Sequence, residues 1–271
     1  MIKAIVCDLD GSLMKPSSGL YVSERVKKLL IEVQKKGILV ILNSARIFQG
    51  VYPLAKQIQM DTFGGYIISS NGAQVFDAKK NCVVFEYSIC HEDVKKILSY
   101  GLQNNLDVGY SQPDYFVANN LCAPFDLDRH NCHVDYLISY DMKKYLKLNV
   151  NKCCFACEKE KMDREFSQYK KDLEKECFVK VVHSTSTMID IVPRNCEKVS
   201  TVDRLLKILG ISWNEVSAIG DGGSDADVLK YSGYGVTLEN GCDACKGVAD
   251  KIVPSCDEDG CIEWLEELIC E

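Results

Sequence analysis

Short apolar runs alternate with stretches of helical periodicity along the chain. IKAIVC (2–7) is apolar at nearly every position, the pattern of a strand buried on both faces of a parallel sheet. From Ser23, which suits an N-cap, Val26, Leu29, Leu30 and Val33 recur on one helical face, and Gly37 follows the end. ILVILN (38–43) predicts a second buried strand and GGYIISSNG (64–72) contains a third. VFDAKKNCVVFEY (75–87) alternates around a polar AKKN and predicts a hairpin.

The pattern changes between 88 and 187. HEDVKKILSYGLQNN and KMDREFSQYKKDLEKE read as helices, KCCFACE and CFVKVVHS as strands, which predicts an inserted α+β domain with its own sheet. Core character is expected to resume at MIDIVP (188–193), followed by a helix from about Lys198 to Leu209. Ser212 and Glu215 form a capping-box pattern before the apolar run VSAIG (216–220). The expected architecture is α/β: a doubly wound, mainly parallel Rossmann-like core, 1–87 and 188–271, with an α+β cap domain at 88–187.

Three of the core runs end in a polar group: Asp8 after IKAIVC, Ser44 after ILVILN and Asp221 after VSAIG. In an open parallel sheet, ligands bind outside the carboxyl ends of the strands, so these groups are expected in one crevice. GDGGSDAD (220–227) adds further acidic and flexible positions there. A calcium loop starting at Asp8 fails because Leu13 stands where its Gly is required. A dinucleotide fingerprint from Gly220 fails at Asp225, and the chain contains no P-loop run. DLDR (126–129) repeats the DLD but lacks both the preceding strand and the Gly.

Composition narrows the partners. A net charge of −7 disfavours nucleic acid and anionic membranes, which need clustered Lys and Arg. Apolar runs such as GILVIL (37–42) fall far short of the ~20 residues of a membrane span. The opening run is too short for a signal peptide and no cleavage region follows it. Fifteen cysteines, an odd number, then suggest reduced thiols and a cytoplasmic protein. Two CxxC pairs, Cys154/Cys157 and Cys242/Cys245, are too far apart in sequence for a zinc ribbon, although pairing in space stays open. HNCH (130–133) near Asp126 and Asp128 is a further metal candidate, more ordinarily a polar loop.

DLDGSL (8–13), NSAR (43–46), Lys198 and GDGGSD (220–225), in that order, resemble the four motifs of haloacid-dehalogenase-superfamily phosphatases. The insert after the second motif, SSNGA (69–73) and EDGCIEWLEEL (258–268) resemble the Cof-type subfamily, which carries a large α/β cap. The resemblance implies an aspartyl-phosphate mechanism in which Asp8 is the nucleophile and Asp10 the general acid and base. It implies Mg²⁺ held by Asp8, the Asp10 backbone carbonyl and Asp221, with Asp225 in support. It further implies that Ser44, Lys198 and the amides of Leu9 and Ala45 hold the phosphoryl group. Arg46, Asn71, Ser224 and Asn240 are lesser candidates for substrate or phosphate contact. Lys198 on its own reads as an ordinary first-turn lysine in solvent; motif order alone raises it.

The chain departs from the family at Ser224, where Asn is usual, and at Glu239-Asn240, where Gly-Asn is usual. Ser12 replaces the usual Thr. A carboxylate at Glu239 would repel phosphate unless it points away. The expected activity is hydrolysis of a small phosphorylated metabolite, foremost a sugar phosphate. Two alternatives stand beside it. A phosphomannomutase-like phosphotransferase would need more cap arginines than Arg129 and Arg164. A non-catalytic sugar-phosphate binder would be expected to have lost Asp8 or Asp10. Oligomeric state has no signature in the sequence.

Overall fold

The computed structural model describes residues 1–15 and 21–270. Two compact units emerge, Met1–Phe85 with Glu197–Glu271, and Glu86–Cys196.

In the first unit, strands β1 (Ala4–Cys7), β2 (Leu39–Asn43), β3 (Tyr66–Ser69), β4 (Gln74–Asp77) and β5 (Cys82–Glu86) lead into the second unit. That unit contributes β6 (Asp107–Ser111), β7 (Phe116–Ala118), β8 (Tyr136–Ile138), β9 (Cys153–Ala156), β10 (Val179–Thr185) and β11 (Met188–Pro193). The chain then returns with β12 (Val216–Ile219), β13 (Tyr234–Leu238) and β14 (Lys251–Val253). Among the described residues, the core sheet has the order β14-β13-β12-β1-β2-β3-β4-β5, parallel from β14 to β3, with β4 antiparallel to β3.

Both faces of this sheet are covered, which is why its strands are apolar runs. Ile5, Cys7, Val40 and Leu42 pack on one face with Val26, Leu30 and Val33 of the helix Glu24–Lys35, and with Trp264 and Leu265. Ala4, Val6 and Ile41 pack on the other face with Val202, Leu205 and Leu206 of the helix Lys198–Leu209. Ser23 caps the first of these helices by accepting the Val26 amide, as its position predicts. From β1 the chain winds outward to β2 and β3, and later in the opposite direction through β12 and β13. The order therefore reverses beside β1, and the carboxyl ends of β1 and β12 are where sheets of this kind bind their ligands.

The second unit holds a sheet of order β10-β11-β9-β6-β7-β8, antiparallel except between β7 and β8. Val108, Tyr110, Cys153, Phe155, Val181, Ile189 and Ile191 fill its core with Val94 and Ile97 of the helix His91–Gln103 and Met162 and Leu173 of the helix Lys159–Glu176. MIDIVP does not rejoin the first sheet. It pairs antiparallel with β10 across a tight turn and with β9 on its other side, so the return to the core falls at 196–197 instead of 187–188. The reason is physical: all six of its residues are buried here too, giving the run a core strand shows. DLDR lies within the helix Ala123–Cys132, where Arg129 pairs with Asp126.

Candidate active site

Asp8 leaves the end of β1 with its amide donating to the Ile219 carbonyl of β12 (3.0 Å), which anchors it at the reversal of strand order. The loop then turns back on Leu9, whose carbonyl accepts from Ser12 and Met14. Gly11 is required twice over. Its φ is +84°, and a Cβ there would lie 2.3 Å from Asp221 Oδ2. Ser12 Oγ donates to Asp221 Oδ1 at 3.0 Å, so the loop after β1 grips the loop after β12.

Lys198 is not in solvent. It is 5% exposed, and its Nζ donates to Asp8 Oδ1 (2.6 Å) and Asp225 Oδ1 (2.8 Å). Asp225 Oδ2 in turn accepts the Gly222 amide. One oxygen each from Asp8, Asp221 and Asp225 lies within 4.8 Å of the others, the one such group of potential ligands among the described residues. Neither the CxxC cysteines nor HNCH belongs to a comparable group.

The electrostatics are lopsided. Burial, then repulsion from Asp225, raises the Asp8 carboxyl above its ordinary range; Lys198 pulls against this without winning. Burial, then the Asp8 charge, raises Asp221 to about 6, and burial raises Asp225. Burial works to lower Lys198, but the Asp225 and Asp8 charges outweigh it and hold the ammonium on. Asp8 and Asp221 bring carboxylate oxygens within 4.8 Å of each other, an approach two ionised carboxylates resist unless a cation lies with them. The donors are all hard oxygens. Asp8, Asp221 and Asp225 therefore fit Mg²⁺ and do not fit a thiol-and-imidazole zinc site.

Asp10 is held apart from this cluster. Arg46, buried, grips it with both prongs: Nε to Oδ2 at 2.7 Å and Nη2 to Oδ1 at 2.5 Å. Arg46, foreseen as a substrate contact, thus orients the second carboxylate of the DLD. Its own carbonyl accepts from Ser70, and the Ser44 carbonyl accepts from Asn71. Ser70 and Asn71 both have positive φ, 52° and 58°, so the SSNG turn holds two left-handed residues to make these bonds. Thr201 Oγ1 donates to the carbonyl of Gly72 (2.9 Å), which ties the turn to the helix carrying Lys198. Ser44 is buried and its Oγ accepts the Arg46 amide, leaving the hydroxyl proton to donate elsewhere.

The remaining expected residues divide. Leu9 is buried and Ala45 half-buried beside their motif partners, while Ser224 is exposed in the loop before Asp225. Asn240 is a buttress: its Nδ2 donates to the Gly11 carbonyl (2.8 Å) and its Oδ1 accepts the Cys256 amide (2.9 Å). Glu239 is exposed. Asn71, expected as a substrate contact, holds the Ser44 carbonyl through its amide, while Ser12, Ser70 and Thr201 complete the site without a role expected of them there. Nothing in the SSNGA run itself discloses these partners.

A profile of the haloacid dehalogenase-like hydrolase family matches residues 5–265. A putative phosphatase of Bacillus subtilis, YxeH, is 25% identical, with 99% of each chain covered. The 5-amino-6-(5-phospho-D-ribitylamino)uracil phosphatase YcsE of the same organism is 24% identical over 96% of this chain and 92% of that one. The crystal structure of a haloacid dehalogenase-like hydrolase from Bacteroides thetaiotaomicron superposes with a TM-score of 0.92 at 29% identity, covering 99% of this chain and 100% of that one.

Proposed function

The chain belongs to the haloacid dehalogenase-like hydrolases and is a phosphatase of that family, and from this premise we propose that it hydrolyses small phosphorylated metabolites, foremost sugar phosphates, through an aspartyl phosphate. The observation that carries the reading is the Asp8 carboxylate, buried at a strand end against Lys198 and facing two further carboxylates. A third carboxylate crowded onto one buried lysine is a poor structural choice, but it can attack phosphorus once its surroundings are neutralised.

In this reading Asp8 attacks the phosphoryl group, and Asp10, steered by Arg46, protonates the departing ester oxygen. Asp10 then takes a proton from the water that cleaves the aspartyl phosphate. Lys198 and the Ser44 hydroxyl stabilise charge on the equatorial oxygens. Asp8, Asp221, Asp225 and the Asp10 carbonyl would hold Mg²⁺, which when bound neutralises the carboxylates and polarises the phosphoryl oxygens. Asn240 braces the loop after β1 through the Gly11 carbonyl, and Ser224, exposed before Asp225, would reach the phosphate from the loop after β12. A small phosphorylated substrate is supported by the relative whose name specifies a phosphoribityl compound. The negative net charge supports an absence of nucleic-acid partners, and no described helix is long and apolar enough to cross a membrane. The odd number of cysteines, fifteen, supports a reducing, cytoplasmic setting.

The test is phosphate release across a set of sugar phosphates, nucleotides and an aryl phosphate with Mg²⁺, for the native chain and for Asp8→Asn. Retention of near-native release by that variant on the best substrate would rule out Asp8 as nucleophile.

A further inference from the structure

Of the two CxxC pairs, one sits against the site. Cys242 caps the short helix Asp243–Lys246 and is half-exposed; Cys245, one turn on, is buried. Burial, then the neighbouring Cys242 thiol, pushes the Cys245 thiol up. The Cys242 amide donates to the Asp221 carbonyl (2.9 Å). The Cys245 thiol donates to the Gly222 carbonyl (3.0 Å), which also accepts the Asp225 amide (2.8 Å). Both cysteines therefore bond the backbone between the two carboxylates of the loop after β12. The other pair differs. Cys154 is buried within β9 with its thiol on Asp190, and Cys157 lies just past the strand end, where extended backbone sends side chains three apart to opposite faces.

We propose that Cys242 and Cys245 form a reversible disulfide which reports thiol oxidants to the Asp221–Asp225 loop. A half-exposed cysteine followed three residues later by a buried one, with both at the start of one helical turn, has the spacing of dithiol redox centres. The co-reactant is a low-molecular-weight disulfide such as oxidised glutathione. Deprotonated Cys242 Sγ attacks one of its sulfurs, forming a mixed disulfide and expelling one thiolate, which takes up a proton. Cys245 Sγ, losing its proton, then attacks Cys242 Sγ and expels the second thiol. Two electrons pass from the two protein thiols to the reagent, which leaves as two thiols. Oxidised Cys245 has no S–H, so the Gly222 carbonyl loses one of its two donors and the loop loses one of its ties. The functional half of the proposal rests on the reading of Asp221 and Asp225 as cation-site groups; the disulfide itself does not.

The experiment equilibrates the full chain in glutathione buffers from reduced to oxidised, and quenches it for differential alkylation and peptide mass mapping. Phosphate release from an aryl phosphate and the Mg²⁺-induced shift in Tm are read on the same samples. Cys242→Ser runs in parallel, since it removes the attacking thiol and leaves Cys245 on Gly222. The expected result is a Cys242–Cys245 disulfide reversed by dithiothreitol, with release reduced about fivefold, as for one lost hydrogen bond, and a smaller Mg²⁺ shift. Cys242→Ser should resist both losses. Recovery of Cys242 as a thiol or as a stable glutathione adduct in the oxidised buffer overturns the proposal. So does equal inhibition of Cys242→Ser, or a disulfide that changes neither release nor the Mg²⁺ shift. A reduced chain that releases no phosphate would fail the catalytic reading instead, and the mass map with the Mg²⁺ shift would still decide this one.

Discussion

Each compact unit buries a lysine against aspartate, and the two constellations differ in how charge is matched. In the second unit Lys152 donates to Asp190 Oδ2 at 3.1 Å, and the Cys154 thiol donates to Oδ1 at 3.4 Å. Asp190 is fully buried, yet it belongs to no cluster of potential ligands among the described residues. Burial works to lower Lys152, and Asp190 overrides it and keeps the ammonium. In the first unit Lys198 meets Asp8 and Asp225, with Asp221 beside them. A matched pair holds a fold together; a surplus of buried carboxylate works against it and persists where chemistry uses it. Charge imbalance, more than burial, separates the site from the scaffold.

The largest effect expected from breaking this contrast is catalytic. Asp8→Asn should lower turnover on the order of 10³-fold or more, since it removes the attacking anion with little change in volume. The same substitution should leave cation-free stability equal or raise it, because it removes one of the repelling charges. Urea unfolding without divalent cation checks this, and a loss of stability there would mean that the core cluster is scaffold after all.

Asp190→Ala should do the reverse. It removes the carboxylate that both the buried Lys152 ammonium and the Cys154 thiol bond, which costs about 3–5 kcal/mol for a buried pair that loses one partner. Replacing both partners, Lys152→Met with Asp190→Leu, should recover much of that loss. If the double substitution is as unstable as the single one, the pair contributes more than matched charge.

The cation gives a third, smaller effect with a definite pH sign. Asp8, Asp221 and Asp225 all have folded-state pKa values raised above those of the unfolded chain, Asp221 to about 6. Their contribution to stability is therefore fully present below about pH 4 and is lost as pH rises through the folded values. Without divalent cation, stability should fall between about pH 4 and pH 7 on account of these groups. Mg²⁺ should restore it, raising Tm by about 3–6 °C near pH 8 and by less near pH 5, where protons compete. A larger Mg²⁺ shift at the acid end would contradict the assignment of these carboxylates to the cation.

Much of this was legible because parallel strands announce themselves: IKAIVC, ILVILN and VSAIG each deliver a polar residue to one sheet end. The limits are equally physical. MIDIVP reads like a core strand because burial on both faces looks the same in either sheet. Strands of three residues, Phe116–Ala118 and Tyr136–Ile138, carry too little pattern to be seen. Lys198 could be raised only by motif order, since nothing in a first-turn lysine discloses two carboxylates brought from distant strands. Nor does the sequence disclose the bonds of Arg46 to Asp10 and of Asn240 to Gly11. A motif fixes which residues gather, whereas the choice between gripping substrate and gripping Asp10 or Gly11 depends on reach.

Glu239 supplies the smallest test and the one that bears most directly on the contrast. Its carboxylate is a departure from the family pattern, one residue before the Asn240 that buttresses Gly11. If proximity in sequence to the site were enough, this charge would add to the surplus around Asp8 and repel a phosphorylated substrate. Glu239 is exposed, however, and between solvent-exposed charges both water and salt damp the interaction. The surplus that matters is the buried one, where no water screens it. Glu239→Gln should therefore change kcat/KM by less than about twofold, with a similar salt dependence before and after. A gain of about tenfold that fades as salt is added would place this exposed charge within reach of the substrate. Burial would then be no boundary between the carboxylates that act and those that do not.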